Sequence, residues 1–114
     1  MINQTQQETI ELTIEEAKKD IDKLDALDRL YTHPDFKLLI SEGLCEEEAI
    51  RLVRAGSFPG NKTEERQATI QARIAMIGEL QMYFQQVRNS GNAAMSAMAD
   101  HELTLQEIIE EGEM

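Results

Sequence analysis

Apolar residues recur every third or fourth position from Ile14 to Leu30, and charged residues fill the positions between them. This spacing places the apolar side chains on one face of a helix. Thr13 and Glu16 have the spacing of a capping box, which predicts that the helix begins near Ile14. The pattern therefore predicts a long amphipathic helix over about residues 14–31, preceded by a flexible N-terminus, residues 1–12.

A second long helix is predicted over about residues 64–88, with Thr63 as its cap and Gly91 beyond its end. Some members of its apolar stripe lie seven residues apart, which is typical of a helix lying along another helix. The stripe comprises Ile70, Ile74, Ile77, Leu80, Phe84 and Val87. We expect it to pack against helix 14–31 within the monomer, although part of it could instead pair between chains. Gly78 indicates either close approach by a neighbouring helix or a tolerated glycine, since it costs about 1 kcal/mol relative to alanine.

Two short helices are predicted between the long ones. The first runs from Pro34 to Glu42 and ends at Gly43 in a left-handed conformation; the second follows and ends at Gly56. The residues predicted to be buried are Phe36, Leu39, Ile40, Ala49, Ile50, Leu52 and Val53, with Phe58 folded onto the core from the following loop. Because no segment shows the alternation of a strand, the fold class is all-α, a small helical bundle over residues 13–90.

Charge separates the end of the chain from the rest. The 114 residues include 22 acidic and 11 basic side chains, a net charge of −11, and residues 91–114 contain six acids and no base. We expect residues 91–114 to form an Ala/Met linker and an acidic amphipathic tail outside the core. The tail is either a solubilising end or a segment that folds onto a basic, partly apolar groove of another protein. Its candidate partner-binding residues are Leu103, Leu105, Glu107, Ile108, Ile109 and Glu110.

The residues that could support catalysis or metal binding are few. His33 precedes a proline and is expected to cap a helix or lie in solvent, and His101 is expected to be solvated. Cys45 could be activated at a helix start, but the three glutamates after it oppose a thiolate by like-charge repulsion. One cysteine and two distant histidines do not match zinc-site spacing. Asp20–Asp25 opens like a calcium loop but lacks its third ligand and its glycine.

These observations predict a non-enzymatic protein without metal or cofactor, which acts through protein–protein contacts. The acidic balance argues against direct binding to nucleic acid, because phosphate contacts require clustered lysine and arginine. No apolar run approaches the roughly 20 residues that span a bilayer. We therefore expect protein partners and no membrane contact.

The middle of the chain resembles short helical proteins encoded among the virion structural and assembly genes of tailed bacteriophages. The resemblance covers roughly residues 26–87 and is carried by ALDRL (26–30), PDFK (34–37), ISEG (40–43), EAIRLV (48–53) and IGELQMYF (77–84). It implies a head accessory, scaffold-like or adaptor protein without enzymatic activity. We accordingly expect a location in the bacterial host cytoplasm or the virion, with capsid or portal as partners of the acidic tail. Homo-oligomers are expected from the residues, because a helical unit this small gains stability if part of its apolar stripe pairs between chains.

An alternative is an acidic inhibitor that imitates DNA and blocks a host nucleic-acid-binding protein. Its decoy face would comprise Glu8, Glu11, Glu15, Asp22 and Asp25. A mimic should present unbroken rows of carboxylates, whereas Lys18, Lys19, Lys23 and Arg29 interrupt this helix.

Overall fold

The computed structural model describes the backbone of residues 4–112 and the side chains of residues 4–6, 8–103 and 112. Over residues 4–112 the chain contains no strand, which confirms the all-α prediction. The elements in chain order are α1 (Gln4–Thr32), α2 (Pro34–Phe36), a π-helix (Lys37–Glu48), α3 (Ala49–Ser57), a 3-10 turn (Pro59–Asn61) and α4 (Glu64–Gly112).

Both long helices extend beyond the predicted bounds. Helix α1 begins at Gln4 rather than near Ile14, and α4 continues to Gly112 rather than ending near Arg88. Gly91 does not terminate α4, because no glycine among the residues described here has a positive φ. The alanine-rich sequence that follows Gly91 favours helix, so the helix continues through the predicted linker.

The chain separates into two compact units, and this division differs from the predicted one. The first unit combines α1 up to Leu27 with α4 from Val87, and the second comprises residues 28–86. Residues 91–101, predicted to lie outside the core, therefore belong to a unit that also contains most of α1.

The first unit is built by antiparallel packing of the two long helices. Leu24 of α1 lies directly over Gly91 of α4, where an added Cβ would come within 2.5 Å of the leucine Cβ. Further along, Ile10, Ile14 and Ala17 line one small cavity together with Ala97, Met98 and His101. Since earlier residues of α1 meet later residues of α4, the helices run in opposite directions. Ala17, Leu24 and Ala94 are among the buried side chains, so the predicted pairing of Ile14 and Leu24 with residues 70–87 is corrected.

Three aromatic rings form part of the core of the second unit. Tyr31, Phe36 and Phe84 lie edge to face, with ring centroids 5.4 to 5.9 Å apart. These separations are in the range preferred by aromatic pairs. Leu52 of α3 and Ile77 of α4 are the buried aliphatic residues of this unit. Both had been predicted as core positions.

A π-helix replaces the predicted break at Gly43. Residues Lys37–Glu48 form wide turns that lead directly into α3, and Gly43 lies inside them. A Cβ at Gly43 would approach the carbonyl oxygen of Leu38, five residues earlier, to 2.8 Å. The glycine thus leaves room for the preceding turn instead of ending a helix. Ahead of it, His33 Nδ1 accepts a hydrogen bond from the Asp35 backbone N–H at 3.1 Å, which confirms the predicted capping role.

Several residues predicted to be buried are exposed. Phe58, expected to anchor its loop to the core, is 64% exposed, and Leu39, Ile50 and Val53 are also exposed. Phe36, Ile40 and Ala49 are half-buried. The predictions failed at positions on faces of the π-helix, α3 and the following loop that no described element covers.

Side-chain hydrogen bonds join the end of α3 to the start of α4. Gln67 Nε2 donates to the carbonyls of Gly56 and Asn61 at 2.9 and 2.8 Å, and Asn61 Nδ2 donates to the Ala55 carbonyl at 2.9 Å. These bonds satisfy carbonyls at a helix end that have no partner within the helix. Thr63 accepts from the Arg66 backbone N–H at 3.3 Å, as predicted for a cap. The connection therefore fixes α3 against the first turns of α4.

Candidate functional site

The second unit contains an open groove of about 650 Å³ between α3 and the beginning of α4. Leu52 and Ala55 of α3 and Ile70 of α4 contribute apolar surface to it. The hydrogen-bonded connection between the two helices closes one end, since Asn61 and Thr63 also line the groove. The groove is therefore a concave surface on a fixed part of the backbone.

Three arginines make this groove basic. Arg66 and Arg73 lie seven residues apart on α4, and Arg51 faces them from α3. Seven residues correspond to about 10 Å along a helix, so the two α4 arginines lie on one face two turns apart. Glu65 is the one acidic residue that lines the groove among the residues described. The groove thus has a net positive charge on a chain whose net charge is −11.

The three guanidinium groups differ in how they are engaged. Arg51 forms a two-pronged ion pair with Glu48, with Nε–Oε2 and Nη2–Oε1 distances of 2.8 and 2.5 Å. Arg66 Nη1 donates to the Gly60 carbonyl at 2.7 Å. Arg73 forms no hydrogen bond or ion pair with the residues that the structure describes. Arg73 is therefore the guanidinium best placed to receive an external anion.

The electrostatic environment of Glu48 reflects this arrangement. The hydrogen bond from Arg51 is the main cause that lowers the pKa of Glu48, and the positive charges of Arg51 and Arg73 act in the same direction. The same hydrogen bond raises the pKa of Arg51. Glu48 is thus held as a carboxylate and partly offsets the positive charge on the α3 side of the groove.

Apolar side chains are exposed over much of the second unit. Those most exposed to solvent are Leu30, Leu38, Leu39, Ile50, Val53, Phe58, Met76, Met82 and Tyr83. On α4, exposed Met76, half-buried Leu80 and exposed Tyr83 occupy positions i, i+4 and i+7. These positions share one face of a helix, so the three side chains form a strip beside Ile77. Leu80 was predicted as a member of the packed stripe, whereas the structure leaves it half-buried beside exposed Met76 and Tyr83.

The predicted partner-binding residues fall at the end of α4. Leu103 is 57% exposed. The other five, Leu105, Glu107, Ile108, Ile109 and Glu110, belong to the helix backbone, but their side chains lie outside the described residues. The structure thus places all six positions on one continuous helix.

The other candidate groups are dispersed. His101 was expected to be solvated but is half-buried beside Ile10 and Met98. Cys45 is half-buried and forms no disulfide, and Asp20–Asp25 lies within α1. Across the residues with described side chains, no three potential metal ligands of the His, Cys, Asp or Glu type come together. Nor does any described helix combine the length and apolar character needed to cross a bilayer.

The acidic face of α1 contains a basic residue. Glu8, Glu11, Glu15, Asp22 and Asp25 are all exposed. The 3.6-residue repeat of the helix places Lys18, which is also exposed, on that face. The row of carboxylates is therefore interrupted, as noted from the sequence.

The basic groove was not predicted from the sequence. Arg51 and Arg73 are separated by 21 intervening residues, and only the packing of α3 on α4 brings them to one surface. The available signal was the positive charge of residues 61–90, where four basic residues exceed three acidic ones. No protein family, curated protein or solved structure matches this chain.

Proposed function

We propose that this protein is a non-enzymatic structural or assembly component of a tailed-phage virion. It acts as a head accessory, scaffold-like or adaptor protein through helix-mediated contacts. The support from sequence is the resemblance over residues 26–87. The support from structure is the large amount of exposed apolar surface on the second unit.

That surface carries the proposal. Nine large apolar side chains of the second unit are between 40% and 66% exposed, with Leu30 the least exposed and Leu39 the most exposed. Side chains such as Leu39 and Phe58, each more than 60% exposed, gain from burial against a partner. Contact with other virion proteins, or between copies of the chain, would supply that burial.

Residues 100–114 provide a second means of attachment. In this proposal the segment, which combines Leu103, Leu105, Ile108 and Ile109 with acidic residues, docks on a basic surface of the capsid or portal. Apolar contacts would supply most of the affinity, and the carboxylates would set orientation and specificity.

The experiment is mass spectrometry of purified virions and proheads. We expect the protein in at least one of these particles in more than trace amounts. Its absence from both would exclude the proposal.

Incorporation should depend on the exposed face of α3. Replacement of Ile50 and Val53 by lysine should reduce incorporation while the helicity of the isolated protein is retained, because both side chains are exposed. The matched control replaces exposed Gln71 and Gln81 by lysine, which adds the same charge. Equal incorporation of the two double variants would argue against α3 as the docking face.

A further inference from the structure

We propose that the basic groove between α3 and α4 binds a small organic phosphate, with the phosphate group at Arg66 and Arg73 and the organic part on the apolar wall of the groove. The proposed function does not use this groove, so the inference neither rests on a virion partner nor requires one. The class of ligand follows from the free hydrogen-bond donors, the shape and the apolar lining of the groove.

The groove offers a ligand more donors than acceptors. Arg73 bonds to none of the described residues, so its guanidinium N–H groups are available to a ligand. Arg66 engages the described residues only through Nη1, which donates to the Gly60 carbonyl at 2.7 Å and to Asn61 Oδ1 at 3.4 Å. The Thr63 hydroxyl accepts from the Arg66 backbone N–H and can still donate its own proton. A complementary ligand therefore carries a negative charge and several acceptor oxygens.

Two of the guanidinium groups are tethered before a ligand binds. Arg66 is tied to the Gly60 carbonyl, and Arg51 is held by its two-pronged ion pair with Glu48. Because Glu48 offsets the charge of Arg51, the attraction for an anion centres on Arg66 and Arg73. A side chain that is already ordered loses less conformational freedom on binding, so the tether on Arg66 favours affinity.

The number of acceptor oxygens favours a phosphate over a carboxylate. Arg66 and Arg73 are two helical turns apart on α4, and both side chains line the groove. A carboxylate has two oxygens in one plane, which a single guanidinium saturates with its parallel N–H groups. A phosphate group has three terminal oxygens that point in different directions. It can therefore accept from Arg73 and retain an oxygen for Arg66.

The shape of the groove favours a small molecule over a nucleic acid. Its volume of about 650 Å³ lies within the range of roughly 300–1,000 Å³ that is typical of small-molecule sites. Asn61 and Thr63 close one end, so a continuous phosphate backbone cannot follow the groove past them. Glu65 in the groove and the net charge of −11 oppose a polyanion more strongly than a ligand with one phosphate group.

The apolar wall accounts for the organic part of the ligand. Leu52 and Ala55 of α3 and Ile70 of α4 line the same groove as the arginines. An aromatic or aliphatic group placed against this wall leaves water and gains free energy in proportion to the apolar area that it buries. Inorganic phosphate lacks such a group, so it should bind at the same place but more weakly.

The test is a titration of the full chain with phenyl phosphate, followed by isothermal titration calorimetry and by NMR of the backbone amides. The chemical shifts should change mainly at groove residues of both helices, such as Ala55 and Thr69. Inorganic phosphate should shift the same amides and bind about tenfold more weakly. Phenol, which has the ring without the charge, should not bind at the same concentrations.

A pair of matched variants assigns the binding to the groove. Arg73→Gln should weaken binding of phenyl phosphate about tenfold, because it removes hydrogen bonds to a charged group. Arg54→Gln is the control, since Arg54 is an exposed residue of α3 that does not line the groove and the change in net charge is the same. It should leave binding unchanged. Circular dichroism verifies that both variants are folded.

Several results would overturn the inference. These are the absence of phenyl phosphate binding at millimolar concentration, shifts confined to residues outside the groove, and equal weakening by Arg73→Gln and Arg54→Gln. Tighter binding of an oligothymidylate or a polyglutamate peptide that competes with phenyl phosphate would assign the groove to nucleic acid or to an acidic protein instead. None of these results bears on whether the protein is found in virions, so the two proposals fail separately.

Discussion

The glycines of α4 differ in how much space a side chain would have if the glycine were replaced by another residue. At Gly91 an added Cβ would lie 2.5 Å from the Cβ of Leu24, well inside van der Waals contact. At Gly78 it would meet nothing within 4 Å. The close approach considered from the sequence for Gly78 therefore occurs at Gly91, which the sequence pattern had assigned to a helix end.

Gly91→Ala should destabilise the protein by about 1 to 3 kcal/mol, because the new methyl group forces Leu24 to move in a packed interface. Gly78→Ala should stabilise it by about 1 kcal/mol through helix propensity alone. Urea unfolding followed by circular dichroism measures both. In a Leu24→Gly background, which removes the Leu24 Cβ as well as the rest of the side chain, the cost of Gly91→Ala should fall. Stabilisation by both alanines would contradict the observed packing.

Ile77 is the most buried apolar residue of α4 in the second unit, at 5% exposure. Ile77→Asp should cost several kcal/mol in unfolding free energy, because it buries a carboxylate without a partner. Met76→Asp on the adjacent position, which is 64% exposed, should cost less than about 1 kcal/mol. Thermal melts of the pair provide the comparison, and similar melting temperatures would show that Ile77 is not buried.

Glu48 should titrate below its ordinary value of 4.5, because the charged form accepts hydrogen bonds from Arg51. A carboxyl group with a lowered folded-state pKa stabilises the fold above pH 4.5, and this contribution disappears as the pH falls through the folded-state pKa. Side-chain NMR titration checks it. Arg51→Met should raise the pKa of Glu48, whereas Arg54→Met should not. An unchanged pKa in Arg51→Met would refute the role of the ion pair.

At the scale of elements, Gln67 contributes two of the side-chain hydrogen bonds that connect α3 with the start of α4. Gln67→Ala removes hydrogen bonds to the carbonyls of Gly56 and Asn61. The Gly56 carbonyl keeps the hydrogen bond from Lys62 Nζ at 3.0 Å, whereas the Asn61 carbonyl loses its side-chain donor. The free energy of unfolding should therefore fall by about 1 to 3 kcal/mol. Gln71→Ala, one turn later and exposed, should change it by less than about 0.5 kcal/mol. Denaturant unfolding of both variants distinguishes them, and equal stabilities would count against the connection.

Most helical segments could be predicted because their apolar spacing is local, as from Ile14 to Leu30. The end of α4 could not, since Gly91 and Asn92 are typical of a helix end until Leu24 is seen to occupy the space above Gly91. The spacing of residues on both sides of Gly91 does indicate that the helix continues. Val87, Gly91, Ala94, Met98 and His101 alternate steps of four and three, the repeat of paired helices. Because Gly91 and Ala94 are small, this series does not stand out as a stripe of large apolar residues.

The π-helix was beyond reach of sequence patterns. Its hydrogen bonds join residues five apart, and the apolar residues from Phe36 to Leu44 fit an α-helical spacing equally well. The prediction that Gly43 ends a helix in a left-handed conformation was wrong, because Gly43 lies inside the π-helix without a positive φ and leaves space for the Leu38 carbonyl.

At the scale of the whole molecule, the spacing of apolar residues predicted the all-α class, but neither the spacing nor the charge distribution predicted how the chain divides into units. The basic groove combines residues from two elements, so neither Arg51 nor Arg73 could be recognised as part of a site from its local sequence. The acidic segment was recognisable because its six acids lie within one stretch of 24 residues.

Residues 91–114 were expected from the sequence to lie outside the core, so that their removal would leave the fold intact, and the structure reverses that expectation. The truncation removes Gly91, which lies against Leu24, and Ala94, which is buried. Leu24 and Ala17 are also buried in this unit and would lose part of the helix that packs beside them. The melting temperature should drop substantially, and helicity should fall by more than the 24 residues removed. Removal of residues 104–114 alone should have a smaller effect. Thermal melts followed by circular dichroism compare the two truncated proteins with the full chain. If the protein without residues 91–114 melted at the same temperature as the full chain, residues 91–114 would not be part of the core.

The absent side chain at residue 91 also fixes the alignment of the paired helices. If α4 were shifted along α1 by seven residues in either direction, Leu24 would face Phe84 or Met98. Leu24 would then lose the space that the missing side chain of Gly91 provides. Gly91 thus leaves space for the side chain of Leu24 at one position along α4. This contact favours a single register of the two helices, although the spacing of the other packed residues repeats.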